Sequence, residues 1–365
     1  MNDEKDIPVF QLRLMQLLGT ESKAVGGYLK LEKNIEQANN YAEGYSVDRR
    51  KLAAIADGDD IKVSFKELQA LSAFFAYREL PSPFEKLSLL EPVVRNRNIV
   101  FMLGAKPRSE TTDISRWDVV AMALLQRAVF RLANAVKLEI EDVRLHGDSD
   151  PEFRRSGDDP DYHRLVISLL QREPWMASLR SRSGTSFIAI GSPRASHATE
   201  YMLSEMFRVT PFNPVSHSSE NGPPFRFIWQ KSFGLPSSFG VETKPDSVLH
   251  RDFRTFGVEI RGEKHDCVRD GEVWQEYGLI AAQRRMSGQV WLVLAGLTGG
   301  ATEATARFVE AFNFDLPAAT ETSHGDVVWA VVEASIKVSH DHQDTGGGDR
   351  QVVGQRLFRG PYLFK

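Results

Sequence analysis

The sequence predicts an α/β protein, in which a small helical N-terminal domain precedes a three-layer α/β domain with a largely parallel sheet. The main observation is a unit that occurs three times: a short apolar strand ends in glycine and leads through a loop to a helix. These strands are expected at residues 98–104, 186–191 and 290–296, and a last apolar strand at 327–332. Strands that alternate with helices favour a parallel central sheet covered by helices.

The first 90 residues are predicted to be mostly helical, with a polar segment at 30–45 that is rich in Asn, Glu and Gln. Asp48 is suited to cap a helix that begins at Arg49, and Ser64 and Glu67 have the spacing of a capping box. The helix after Ser64 has an apolar face formed by Leu68, Leu71, Phe74 and Phe75. Prolines at 81 and 83 indicate a linker. We therefore expect a helical domain at 1–90 and an α/β domain at 95–365.

The segment 211–270 differs from the rest of the α/β domain. It contains six prolines with many Ser and Phe residues, a composition that predicts an irregular insertion. Long insertions of this kind often border a binding site. The alternative is a surface excursion that has no part in ligand binding.

Composition excludes several classes of protein. The chain has 365 residues, a formal net charge of −4 and a single cysteine, which rules out a disulfide framework and a multi-cysteine metal site within one chain. The near-neutral charge argues against a protein that coats nucleic acid, because that function needs a concentrated positive field. His340 and His342 could bind a metal, but their Gly- and Asp-rich context favours a solvated hairpin, so no metal site is predicted.

The loops after the first two predicted strands resemble each other. Gly104 is followed by Arg108, and Gly191 is followed by Ser192 and Arg194. A glycine at the end of a strand lets the backbone approach a ligand closely, the start of the next helix presents N–H groups, and arginine adds a forked cationic donor. This combination favours a phosphate or carboxylate ligand. The alternative is a pair of short turns with exposed arginines.

The third loop has the same character but contains hydroxyl groups in place of arginine. Thr298 and Thr302 flank Gly299 and Gly300, and we expect the threonines to donate to an anion that the glycines allow to approach. Neither a Walker-type phosphate loop nor a GxGxxG fingerprint is present.

Two carboxylates near predicted helix starts are candidates for catalysis. Glu200 follows the second loop and Glu303 follows the third. Either could act as a general acid or base, or could complement the dipole of its helix. The sequence leaves both roles open, and with them the question of whether the protein is an enzyme.

Residues 49–75 resemble the second half of a Cro/repressor-type (XRE-like) helix-turn-helix. Leu52, Ile55 and Gly58 stand where that family has a recognition helix that ends in a turn. The resemblance implies DNA binding through Arg49, Arg50 and Lys51. Residues 1–91 carry 12 Lys and Arg against 15 Asp and Glu, an acidic balance that equally favours a protein-interaction module.

The remainder of the chain, over about residues 95–335, resembles Rossmann-like sensor domains. Its resemblance lies in the strand–Gly-x-Pro-Arg–helix unit and in the later YGLI and VLAGLTGG stretches. Such domains are attached to bacterial regulatory or defence modules, including antiviral defence. The resemblance implies recognition of a nucleotide-like or other anionic small molecule.

Together these features predict a cytoplasmic regulatory protein whose α/β domain senses an anionic, nucleotide-like ligand and controls the helical DNA- or protein-binding module. One alternative is a hydrolase of nucleotide or glycosidic bonds that uses Glu200 or Glu303. Another is a non-catalytic scaffold subunit of a defence or regulatory complex. We expect a homo-oligomer or a protein complex and no membrane association, because no apolar run approaches the length of a bilayer span. The sequence specifies no cofactor.

Overall fold

The computed structural model describes most of the chain in fifteen ranges. These are residues 9–39, 46–57, 64–77, 89–107, 112–132, 136–144, 162–213, 222–230, 237–243, 257–268, 271–312, 314, 316–320, 322–338 and 350–364. The protein is mixed α/β and divides into two compact units. One contains the helices up to residue 77, and the other contains all of the strands in the described ranges.

The N-terminal unit contains four described helices, which pack around a core of aliphatic and aromatic residues. They are α1 (Val9–Val25), α2 (Tyr28–Ala38), α3 (Arg49–Asp57) and α4 (Phe65–Tyr77). The buried core consists of Leu14, Leu18, Leu31, Ile35, Val47, Leu52, Ile55, Ala70, Leu71, Phe74 and Phe75. Helix α2 buries Leu31 and Ile35, which are four residues apart and therefore lie on the same face.

The predicted helix caps of this unit are confirmed. The Asp48 carboxylate accepts a hydrogen bond from the Arg50 backbone N–H at 2.7 Å, at the start of α3. Before α4, the Ser64 N–H donates to the Glu67 carboxylate at 2.6 Å, and the Glu67 N–H donates to the Ser64 hydroxyl at 3.3 Å. This reciprocal pair satisfies backbone groups that the helix itself leaves unbonded.

The second unit is built on an eight-stranded mixed sheet. Its strands are β1 (Asn98–Pro107), β2 (Thr112–Ile114), β3 (Lys137–Arg144), β4 (Thr185–Ile190), β9 (Val273–Arg284), β10 (Val290–Gly296), β11 (Val327–Val338) and β12 (Arg350–Phe364). The order is β12-β11-β9-β10-β4-β1-β2, and β3 also pairs with β1. Strands β3, β1, β4 and β10 are parallel neighbours, whereas β9, β11 and β12 pair antiparallel. The predicted parallel arrangement therefore applies to one half of the sheet.

The segment expected to be an irregular insertion contains a second sheet. Its four strands, in the order β6-β5-β7-β8, are β5 (Phe225–Gln230), β6 (Gly240–Thr243), β7 (Gly257–Ile260) and β8 (Glu263–Asp266). Phe225 and Phe227 are fully buried in the same cluster as residues of the large sheet. Although this segment is rich in proline, it forms short strands, and the packing of Phe225 and Phe227 stabilises them.

Six helices accompany the sheets in the described ranges. They are α5 (Leu90–Arg95), α6 (Arg116–Leu132), α7 (Tyr162–Leu170), α8 (Pro174–Ser181), α9 (His197–Phe207) and α10 (Gly299–Val309). Along β11, Trp329 belongs to the cluster that includes residues of α7, α8 and α9, whereas Ile336 belongs to a cluster with α10. Within the described ranges, no helix has both the length and the apolar character needed to cross a membrane.

Candidate functional site

A cavity of about 360 Å³ lies beside the carboxyl ends of β1, β4 and β10. Its lining comes from β1, β2, the loops after β4 and β10, and the starts of α6 and α10. It consists of Gly104, Ile114, Ser115, Asp118, Ser192, Ala195, Leu297, Thr298, Gly299 and Thr302. Each of the three glycine-containing segments identified in the sequence contributes to this lining, although Gly104, expected at the end of a strand, lies within β1, which continues to Pro107. The fold therefore brings them together around one cavity.

The order of the strands explains why the cavity forms here. From β1 the chain passes through β2 and α6 to β3, whereas from β4 it continues to strands on the opposite side, where β10 is the neighbour of β4. Connections that leave two adjacent parallel strands in opposite directions open a crevice between the carboxyl ends of those strands. β1 and β4 are such a pair, and the cavity occupies that crevice.

At Gly104 and Gly191, neighbouring atoms of the protein leave little or no room for a side chain. A Cβ atom at Gly104 would overlap the carbonyl oxygen of Ala195, so that the end of β1 can approach the loop after β4 only without a side chain. Gly191 has φ = 117°, and a Cβ there would lie 3.0 Å from Oδ2 of Asp118. These glycines let the loops that line the cavity approach one another.

The glycines of the third loop meet side chains. A Cβ at Gly299 would overlap the Trp117 ring, and one at Gly300 would lie 2.6 Å from Cδ1 of Ile336. Gly300 is buried and is absent from the lining of the cavity, although Gly299 contributes to it. The absence of a side chain at Gly300 lets α10 pack against Ile336 of β11, and its place in the ligand site stays a prediction.

The hydroxyl groups of Thr298 and Thr302 are already used within the protein. Thr298 donates its proton to the buried carboxylate of Glu276, and its oxygen accepts from the Ala301 N–H at 3.4 Å, which caps α10. Thr302 donates to the Thr298 carbonyl oxygen at 3.2 Å. The expected donation of both hydroxyls to a ligand is therefore not favoured. The donors directed to this end of α10 are the first backbone N–H groups of the helix.

Asp118 is the charged residue among the described lining residues, and sequence reasoning missed it. It lies in the first turn of α6 with only 6% of its surface exposed. Its backbone N–H donates to the Ser115 carbonyl oxygen at 3.0 Å. The one signal in the sequence was the Ser115–x–x–Asp118 spacing, which is typical of a helix start.

Of the two arginines expected to hold an anion, the structure describes Arg194, which is not part of the cavity lining. The Arg194 guanidinium carbon lies 4.9 Å from the ring centroid of Trp229 in β5, a cation–π arrangement. Arg108 lies outside the described residues. Ser192 does line the cavity, and its Oγ accepts from the Arg194 backbone N–H at 3.4 Å.

Glu200 lies outside the cavity lining and joins two distant segments of the chain. Its buried carboxylate accepts hydrogen bonds from the Phe212 N–H at 3.0 Å, the Ser238 N–H at 2.8 Å and the Ser237 hydroxyl at 2.6 Å. Burial raises the pKa of this carboxyl, and the hydrogen bonds from Ser237, Ser238 and Phe212 oppose that shift. No local pattern could predict these contacts, because the partners are 12 to 38 residues away.

Glu303 also lies outside the lining. Its Oε1 accepts hydrogen bonds from Nε and Nη2 of Arg307 at 2.8 and 2.6 Å, one turn later in α10. This pair lies within a single helix and is absent from the lining of the cavity. The geometry thus favours a structural role for both Glu200 and Glu303.

The predicted DNA-contacting residues lie on α3 of the N-terminal unit. Arg49 and Arg50 are exposed. Lys51 is half-buried, and its Nζ lies 2.7 Å from the Glu67 carboxylate. Two exposed guanidinium groups therefore remain available at the start of α3, while the charge of Lys51 is balanced within the unit.

A metal-binding group of three or more His, Cys, Asp or Glu side chains does not occur among the residues that the structure describes. His340 and His342 lie outside those residues. The polar side chains of the described lining are those of Asp118, Ser115, Ser192, Thr298 and Thr302.

The chain was compared with protein-family models, with curated proteins and with solved structures. None of the three comparisons finds a match.

Proposed function

We propose that the protein is a regulator whose α/β unit binds an anionic, nucleotide-like ligand in the cavity at the ends of β1, β4 and β10. The observation that supports this most strongly is the lining, to which all three glycine loops contribute at the point where the strand connections diverge. Ligands of open α/β sheets bind at such points. The cavity volume of about 360 Å³ also falls in the range of small-molecule sites.

The anionic part of the ligand would lie at the start of α10. Here the backbone N–H groups of Gly299 and Gly300 precede the first hydrogen-bonded turn of the helix, and the helix dipole favours negative charge. Ser192 adds a hydroxyl donor from the loop after β4. These donors would take the place of Arg194, which is not part of the lining, as the anion-binding groups.

For the complete chain we propose a small helical domain followed by a three-layer α/β domain. The two clusters that β11 helps to form, one around Trp329 and one around Ile336, support helices on both faces of the sheet. The helical domain would bind DNA through Arg49 and Arg50, or bind a protein. A ligand with different affinities for two states of the chain would then shift the balance between those states.

The test is ligand-induced stabilisation of the full chain. Thermal unfolding and calorimetric titration would be measured with nucleoside mono- and diphosphates, NAD and cyclic nucleotides. Ser192→Trp fills the cavity, and Ser181→Trp, at an exposed position on α8, is its matched control. We expect at least one nucleotide to stabilise the wild type and Ser181→Trp but not Ser192→Trp.

Other results would overturn the proposal. If no nucleotide binds and the chain instead co-elutes with a protein partner, the scaffold alternative is favoured. If a nucleotide is cleaved and cleavage is lost in Glu200→Gln or Glu303→Gln, the protein is a hydrolase. Binding that is equal in wild type and Ser192→Trp would place the site elsewhere.

A further inference from the structure

We propose that a cluster of arginines at the start of β10 forms a second anion-binding site, which takes a tetrahedral oxyanion such as a phosphate group. Its cationic groups are Arg180, Arg208 and Arg285, and His324 lies beside them. The cavity of the proposed function adjoins the end of β10, whereas Arg285 precedes this strand. Because β10 has seven residues, its two ends are roughly 20 Å apart, and the two sites are separate.

Arg285 is the fixed centre of this cluster. Only 10% of its side chain is exposed, and its guanidinium carbon lies 4.1 Å from the ring centroid of Trp291. Its Nη1 donates to Oε1 of Gln283 at 2.8 Å. These two contacts hold the guanidinium group in one orientation, and neither partner carries a charge.

The internal partners of Arg285 balance its charge only in part. Among the described residues, the carboxylate that acts on it is that of Glu205, whose Oε2 lies 3.8 Å from Nη2, beyond hydrogen-bond distance. A guanidinium group has more N–H donors than the single contact with Gln283 uses. Burial lowers the pKa of Arg285, which is the effect of a charge that its surroundings do not fully compensate.

Two further guanidinium groups reach the same place from separate segments. Arg180 lies in the last turn of α8 beside the hydroxyl of Tyr201, and Tyr201 is also near Arg285. Arg208 directly follows α9, and its charge acts together with that of Arg285 on His324. Arg180 and Arg208 are exposed, and within the described part of the chain neither has a carboxylate partner.

His324 provides a neutral donor at the edge of the cluster. Its Nδ1 accepts from the Met286 N–H at 2.9 Å, so the proton of the neutral ring is on Nε2. Partial burial and the positive charges of Arg285 and Arg208 lower the pKa of this imidazole. The ring is therefore mainly neutral at pH 7, and it adds a donor without adding a charge.

The charges of the cluster favour a doubly charged oxyanion. The three arginines exceed the carboxylate of Glu205 by two positive charges, which a dianion would balance. Arginine binds phosphate groups through its forked N–H donors, and the oxygens of a tetrahedral anion point in different directions towards the three segments. A metal cation would be repelled by the excess of positive charge.

A purely structural role for Arg285 makes a different prediction. In that case its contacts with Trp291 and Gln283 would only stabilise the turn between β9 and β10, and an added oxyanion would do no more than screen charge. An anion bound among the arginines would instead raise the pKa of His324, because it would offset the charges that lower this pKa. His324 is therefore a local reporter of binding.

The experiment follows the ring resonances of His324 in the full chain by NMR while sodium sulfate is added. His324→Gln identifies these resonances, and sodium chloride at equal ionic strength is the reference. We expect sulfate to bind saturably and to raise the pKa of His324 by about one unit, since a nearby opposite charge favours the protonated form. Chloride should give a smaller change without saturation, because it only screens charge.

Four variants test which residues hold the anion. Arg180→Ala and Arg208→Ala should each weaken sulfate binding roughly tenfold, through loss of a charge-assisted hydrogen bond. Arg127→Ala removes an exposed arginine of α6 and is the matched control. Ser192→Trp fills the cavity of the proposed function. The last two variants should bind sulfate as the wild type does.

Several results would overturn the second site. These are equal effects of sulfate and chloride on the wild type, sulfate binding that leaves the pKa of His324 unchanged, and unchanged binding in both Arg180→Ala and Arg208→Ala. Loss of binding in Ser192→Trp would place the anion in the cavity instead. The comparison of the two salts needs no variant, so it is decisive even if a variant does not fold.

The source of the oxyanion is tested with inorganic phosphate and methyl phosphate in the same assay. Equal affinity for the two supports a phosphate group carried by a larger molecule, because the site then leaves room for a substituent. Tighter binding of inorganic phosphate supports the free ion as the ligand. Binding of neither phosphate would contradict the proposal.

Discussion

Glu200 and Ser238 are joined by a buried hydrogen bond, although 38 residues separate them in the sequence. The Ser238 backbone N–H donates to Oε1 of Glu200 at 2.8 Å. The same oxygen accepts from the Phe212 N–H at 3.0 Å, and Oε2 accepts from the Ser237 hydroxyl at 2.6 Å. One carboxylate in α9 thereby fixes both the turn after that helix and the segment that leads into β6.

We predict that Glu200→Ala destabilises the protein far more than Glu200→Gln does. Alanine would leave the N–H groups of Phe212 and Ser238 buried without an acceptor, at a cost of about 1–3 kcal/mol each. Glutamine keeps one oxygen for both N–H groups, and the Ser237 hydroxyl can rotate to accept from its amide. Urea unfolding would measure the difference. Equal losses would show that these bonds contribute little to the free energy of unfolding.

The raised pKa of Glu200 predicts a pH dependence of stability. Burial raises this pKa in the folded state, so the folded protein binds the proton more tightly than the unfolded chain. The resulting stabilisation is fully present below the unfolded-state pKa and is lost as pH rises through the folded-state pKa. The difference in free energy of unfolding between wild type and Glu200→Gln should therefore decrease as pH rises through that window. An increase would contradict the direction of the shift.

Thr298 offers a test of the start of α10. Thr298→Val removes both the cap to Ala301 and the hydrogen bond to the buried Glu276. We expect a loss of about 1 kcal/mol for the cap and a further 1–3 kcal/mol for the buried carboxylate left without this donor. Thr298→Ser keeps the hydroxyl and should retain most of the stability. Chemical denaturation distinguishes them, and equal stability of the two variants would argue against these contacts.

Gly104 should not tolerate even a methyl group. A Cβ here would overlap the Ala195 carbonyl oxygen, so Gly104→Ala must displace the loop after β4, at a cost of about 1–3 kcal/mol. Gly354→Ala is the control, because a Cβ there would make an ordinary contact of 3.5 Å with the Ser335 side chain. The melting temperature of each variant is the measurement. A Gly104→Ala protein as stable as its control would show that the loops adapt easily.

The DNA-binding proposal predicts a particular dependence on salt. If Arg49 and Arg50 each contact a phosphate, the double alanine variant should reduce the slope of log K against log salt concentration by roughly 2. Lys51→Ala should change the slope much less, because Lys51 pairs with Glu67. Fluorescence anisotropy with duplex DNA would measure both slopes. An absence of salt-dependent binding by the wild type would favour a protein partner for this unit.

Local patterns predicted the elements that depend on neighbouring residues. The apolar runs at 98–104, 186–191 and 290–296 correspond to β1, β4 and β10, and the caps at Asp48 and Ser64 are present. The segment 30–45 is predicted only to be polar, yet most of α2 lies in it. The four-residue spacing of Leu31 and Ile35 is the sequence signal for this helix. The pairing of the short strands of the second sheet was not predicted, because β5 pairs with β7 some 30 residues later in the chain.

The sequence by itself determined the three apolar strands and the helices α9 and α10 that follow β4 and β10, because strand and helix patterns arise from residues close together in the chain; β1 continues past Gly104 and is followed by β2. Only the tertiary structure decided that the three loops line one cavity, since that depends on the order β10-β4-β1 in the sheet. It also decided the roles of the carboxylates: Asp118 lines the cavity, whereas Glu200 is bonded to Phe212, Ser237 and Ser238. A carboxylate takes its role from its burial and its partners, and distant parts of the chain provide both.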